Sequence, residues 1–128
     1  MLKQIVTIVI TGIVLVGLDS IYLSVIKNAF ELQIRSIQNS PMTINIVGAI
    51  LCYIILTLGV YYFVIREHRS SIDSFLLGSF VYGVYETTNY SVFKKWKEEI
   101  MVIDTLWGGT LFVLTKQIVD VISGAIKI

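Results

Sequence analysis

The chain has 128 residues, 55% of them hydrophobic and only 15% charged, with a mean hydropathy of +0.81; those values exclude an ordinary soluble domain. Lys and Arg total 10 against 9 Asp and Glu, a net charge of +1, so no basic surface for nucleic acid is expected. The single cysteine, Cys52, lies in an apolar run, can form no intrachain disulfide, has no CxxC partner and reads as a small packing residue.

The apolar residues divide into four runs, each near the ~20 residues that an α-helix needs to cross ~30 Å of hydrocarbon. The predicted fold is therefore an all-α membrane protein. It is a four-transmembrane-helix bundle forming one domain over residues 1–128, with spans at about 5–26, 43–65, 72–90 and 101–122. The first run follows a lone Lys3 and imitates a signal peptide, but it is too long for that and ends without an A-x-A site. It is expected to be a retained helix in which Gly12, Leu15, Asp19, Leu23 and Ile26 share one face.

From Lys27 to Ser40 polar and apolar residues alternate, with Phe30, Ile34 and Ile37 at helical spacing. The pattern predicts a short interfacial amphipathic helix between the first and second spans; the alternative is a continuation of the first helix out of the membrane. Ser40-Pro41 is a start signal for the second span, whose only strongly polar side chain is Asn45. Its Tyr53 lies mid-run, while Tyr61 and Tyr62 lie near the far end, where aromatic rings favour the headgroup level. Ser70 and Asp73 then resemble a capping box. His68, the one histidine, has no second histidine with which to build a metal site, and no cofactor or metal is expected.

The third run places Gly78, Tyr82, Glu86 and Asn89 on one stripe and Ser79, Gly83 and Thr87 on the next, as in a helix packed on two others. The loop after it, with three lysines and two glutamates around Trp96, predicts a headgroup-level turn anchored by an aromatic. The fourth run opens with Asp104, Trp107 and Gly108 and continues that face through Leu111 and Thr115, while Lys116 and Asp120 are four apart and can pair.

LDSIYL (18–23), YGVYETTN (82–89), Lys95-Trp96 and IDTLWG (103–108) together resemble the family known as domain of unknown function 2177, predicted multi-pass membrane proteins. Members read LDxxWL, YxxYDLTN and DxxWG; this chain has Tyr22 for the Trp and Glu86 for the Asp, which keeps the chemical type. The resemblance implies a four-helix integral membrane protein without an established activity.

With four spans both termini share one side, which holds Lys3, Arg66, Arg69 and Lys127 against Lys27, Arg35, Lys94, Lys95 and Lys97 on the other. That balance decides no orientation; the short N-terminal segment and the compact 66–69 loop lean toward cytoplasmic termini. Asp19, Glu86 and Asp104 all fall within roughly 5–10 Å of the same boundary, by the 1.5 Å rise per residue. An acid in a span is costly, so three in one leaflet predict a shared polar pocket built from Asp19, Tyr22, Tyr82, Glu86, Asn89, Asp104 and Trp107.

The leading expectation is a structural or partner-binding bundle locked by that polar cluster. One alternative is a binding or transport element for a proton, a cation or a lipid headgroup, in which Asn89, Thr105 and tyrosine hydroxyls assist. The other is a lipid-modifying enzyme with paired carboxylates as acid and base. Neither a histidine cluster, a nucleophile elbow nor a phosphate loop is present. The partners implied are membrane lipid and a proton or cation, with homo- and hetero-oligomers both open.

Overall fold

The computed structural model describes residues 1–128 and is all-helical, with no strands. Four helices follow one another: α1 (Leu2–Gln38), α2 (Ile46–Val60), α3 (Ser71–Val92) and α4 (Glu98–Ala125). A π-helical turn, Tyr61–Ile65, continues α2, closed by the Arg66 N–H on the Tyr61 carbonyl at 2.8 Å. Two segments, Leu2–Gln38 and Ile46–Ile65, are long and apolar enough to cross a membrane. The other two helices carry more polar residues, Asp73 and Glu86 in α3 and four acids in α4 among them.

The separate amphipathic helix is absent, because residues 27–38 continue α1 without a break. Between Leu18 and Gln38 there is no glycine or proline to stop the helix. It ends only where Asn39 adopts a left-handed conformation (φ 58°) and returns its N–H to the Arg35 carbonyl. The apolar face of this extension docks on the α3–α4 loop: Phe30 meets Trp96 edge-on at 5.7 Å, and the buried Gln33 accepts from the Lys97 backbone N–H at 2.6 Å. Gln33 thereby caps α4, whose own N-terminal residue, Lys97, has no capping oxygen.

The start of α2 also differs from the sequence expectation. It lies at Asn45, not at Ser40-Pro41, because the Asn45 side chain accepts from the Gly48 N–H at 3.1 Å and supplies the cap. Ser70 caps α3 through the Asp73 N–H at 3.1 Å.

α3 and α4 form the most extensive pair, α1 packs on α4 and on α2, and α2 reaches α4 through the π turn. Between α2 and α3 there is almost no contact. The α3–α4 pair is antiparallel: Gly83 lies by Thr105, Gly78 by Gly108, and Ser71 by Gln117. A side chain at Gly78 would run into the Gly108 carbonyl, and one at Gly108 into the Tyr82 ring, so backbone meets backbone along this seam. α1 lies antiparallel to both α2 and α4, since Gly12 meets Thr57 where Asp19 meets Tyr53, and Asp19 meets Trp107 where Tyr22 meets Asp104. The start of α1 and the end of α4 are therefore at the same end of the bundle.

The core is narrow, with Leu15, Val60, Val64, Leu111, Phe112 and Val119 at its centre. Large apolar side chains point outward all round it, among them Ile13, Val25, Ile55, Phe80 and Val121. A soluble monomer does not expose apolar surface on this scale.

Candidate functional site

Each of the three acids that interrupt apolar runs meets an aromatic donor. Asp19 follows Leu15 by one turn on the inner face of α1 and is buried. It accepts the Tyr53 hydroxyl of α2 on Oδ2 at 2.6 Å and the Trp107 indole N–H of α4 on Oδ1 at 2.9 Å. Asp104, three residues before Trp107, accepts the Tyr22 hydroxyl of α1 on Oδ1 at 3.0 Å. The Tyr22 and Trp107 rings stack with centroids 4.6 Å apart and planes 6° from parallel. The α1 acid is thus held by an α4 indole, the α4 acid by an α1 phenol, and the two donors lie face to face.

Glu86 of α3 is 0% exposed. Its Oε1 accepts the Trp96 indole N–H at 2.9 Å, and its carboxyl lies beside that of Asp104. No donor reaches its Oε2. Contact between two carboxyl groups is a hydrogen bond only when one of them carries a proton; otherwise it is a repulsion that a cation must offset. No basic side chain of the protein does so. The ion pairs are Arg66 with Glu67, Arg69 with Asp73 and Lys116 with Asp120, all away from these acids.

Of the residues expected in a shared pocket, Asp19, Tyr22, Asp104 and Trp107 are joined by these contacts, Glu86 lies beside Asp104 and is bonded to Trp96, and Tyr82 lines the adjoining cavity. Asn89 makes no side-chain hydrogen bond to the cluster, and Thr105 gives its hydroxyl to the Met101 carbonyl at 2.7 Å. The carboxyls make two nodes, Asp19 alone and Asp104 with Glu86. No group of three or more His, Cys, Asp or Glu side chains is placed to hold one metal ion.

Sequence reasoning missed two of the four donors. Tyr53 was placed mid-run and given no partner, although a phenol in mid-span must find an acceptor. Trp96 passed for a headgroup anchor; it is 5% exposed and turned inward, with Phe30, Tyr85 and Phe93 around its ring.

A cavity of about 460 Å³ adjoins the cluster where α2 and α3 stand apart. Ten of its twelve lining residues are hydrophobic; the other two are Asp19 and Asp104. α1 contributes Leu23 and Phe30, α2 contributes Ile55, and α3 contributes Val81 and Tyr85.

Outward apolar helix faces around a buried polar cluster define a helical membrane protein. Residues 4–119 match the family described as predicted membrane protein, domain of unknown function 2177 (DUF2177), and the chain belongs to it. No curated protein and no solved structure matches the chain.

Proposed function

We propose that this protein spans the bilayer four times, with both termini on one side, and that the carboxylate cluster is a ligand site for a cation or a cationic headgroup. The observation that carries the reading is the cavity whose only charged lining residues are Asp19 and Asp104, with no basic side chain nearby to neutralise them. Burying unpaired negative charge is costly, so a positively charged occupant is the natural complement. In this placement α1, at ~1.5 Å per residue, is about 55 Å long and overshoots the ~30 Å hydrocarbon. Its last three turns stand outside with the α3–α4 loop, and the cluster lies just inside the boundary beneath them.

A scaffold is the second reading, favoured by the way every acid–donor bond but that of Trp96 joins two different helices. A lipid-modifying reaction has less support, because Glu86 lies behind Asp104 and off the cavity wall. Asp19→Asn and Asp104→Asn separate the first two readings, since neither amide carries charge while the bonds can be kept: Asn at 104 still accepts from Tyr22, and Asn at 19 accepts from the Trp107 indole and turns its NH2 to the Tyr53 hydroxyl oxygen, which can accept. A ligand site predicts that lipid extract or a cation series raises the wild-type Tm and that the double amide variant loses the rise. A wild type indifferent to every addition would leave the scaffold. Tags on the two termini should be accessible from the same side of sealed vesicles; opposite labelling would end the four-span placement.

A further inference from the structure

We infer that the cavity takes a single-chain lipophilic amine, which enters sideways between α2 and α3, sets its ammonium against Asp19 and Asp104 and lays its chain along the apolar wall. This rests on the ligand-site reading above and adds the chemical class of the occupant. Size excludes a bare ion as sufficient filling, since about 460 Å³ compares with the ~30 Å³ of a water molecule and falls in the ~300–1,000 Å³ range of sites for small organic molecules.

The lining separates into two ends. Leu23, Ile55 and Val81 supply an apolar mouth and are themselves partly exposed, so the opening faces the surroundings of the bundle. Asp19 and Asp104 supply the charged end, with Tyr22 and Tyr82 rings beside them that favour a cation over their faces. An ammonium offers three N–H donors, and each aspartate oxygen that already accepts one bond retains a lone pair for another. A second observation is Glu86, fully buried with Oε2 unpartnered, which needs either a proton or a positive charge close by. A cation at Asp104 would stabilise the carboxyl pair without a new partner for Glu86 itself.

The route of entry follows from the packing. α2 and α3 share almost no contact, whereas α1 packs on α2 and α4, α3 packs on α4, and the α3–α4 loop brings Trp96 onto Glu86. A molecule already dissolved in the bilayer with its head at the boundary therefore reaches the acids without crossing a packed seam.

Cys52 is exposed, lines the cavity and is the only cysteine, which makes it a built-in reporter. Full-length protein in phosphatidylcholine nanodiscs would be alkylated with N-ethylmaleimide in the presence of dodecylamine, dodecanol or methylammonium, and Tm followed in parallel. Dodecylamine should slow Cys52 labelling several-fold and raise Tm, while equal dodecanol and methylammonium do neither. Protection should vanish in the Asp19→Asn/Asp104→Asn variant. Ile55→Trp, which fills the mouth and touches neither acid, should abolish the Tm rise even if the double variant fails to fold. Equal protection by dodecanol would overturn the inference, because the cavity would then select chain and not charge. A full Tm rise from methylammonium, with nothing gained from the chain, would overturn it while leaving the ligand-site reading intact. No response to any of the three would also overturn it, and silence toward lipid extract and inorganic cations as well would remove the ligand-site reading beneath it.

Discussion

The α3–α4 pair and α2 are built on opposite rules. Along α3–α4 the glycines at 78, 108 and 109 leave no room for a methyl group, and eight residues of α4 are buried. Along the fifteen residues of α2 only Thr57 and Val60 are buried, and Gly59 has open space where a side chain would be. One half of the molecule is a close-packed seam with a single way to fit; the other is an apolar helix held along one edge. The cavity lies where the two meet. A rigid wall that fixes Asp104 and Glu86, facing a wall with few packing constraints, is an arrangement in which an occupant can be admitted without unpacking the core.

The largest effect should come from breaking the seam. Gly78→Leu forces a side chain into the Gly108 backbone and should cost about 3 kcal/mol or prevent folding, at the upper end of overpacking penalties. A variant with wild-type Tm would show that α3 and α4 are not in backbone contact. Next, Trp96→Phe removes the only donor to Glu86 and should cost about 1–3 kcal/mol, the cost of stranding a buried polar group. Chemical denaturation in mixed micelles measures it, and a loss under a few tenths would place Trp96 outside the fold's support.

Tyr53→Phe sharpens the comparison, because Asp19 keeps Trp107 as a donor. The expected loss is about 1 kcal/mol, smaller than for Trp96, and an inverted order would mean that α2 is held more firmly than its packing implies. Smallest of all, Leu51→Ala on the outer face of α2 should shift stability by less than about 0.5 kcal/mol, since its side chain is exposed and lies outside the core cluster. A drop like that of Gly78→Leu would reveal a partner covering α2.

The helical class and the acids that mark the cluster were legible because polar residues inside apolar runs are expensive and conspicuous. Asp19, Glu86 and Asp104 needed no structure to stand out. The continuity of α1 was harder to read, since alternation over residues 27–40 also fits a separate surface helix, and the decisive signal was negative: no helix breaker between Leu18 and Asn39. Asn45 shows the same difficulty in a smaller form, because a cap is recognised only once the N–H it serves is known. Tyr53 was left without a partner because nothing in the sequence says which acid a mid-span phenol meets, and Trp96 was misjudged for a different reason. An aromatic with a polar tip suits both a headgroup boundary and a buried acceptor, and only its partner tells which.

The two bonds of Asp19 have a consequence for how the chain is made. Tyr53 lies 34 residues downstream and Trp107 88 residues downstream. At about 5–20 residues per second of synthesis, Asp19 waits roughly 4–18 s after its own addition before its indole donor has even been joined to the chain. During that interval the only one of its two donors available to the acid is the Tyr53 phenol of α2. The reciprocal grip between α1 and α4 therefore cannot close until synthesis has passed Trp107, so the cluster is among the last parts of the molecule that can be completed.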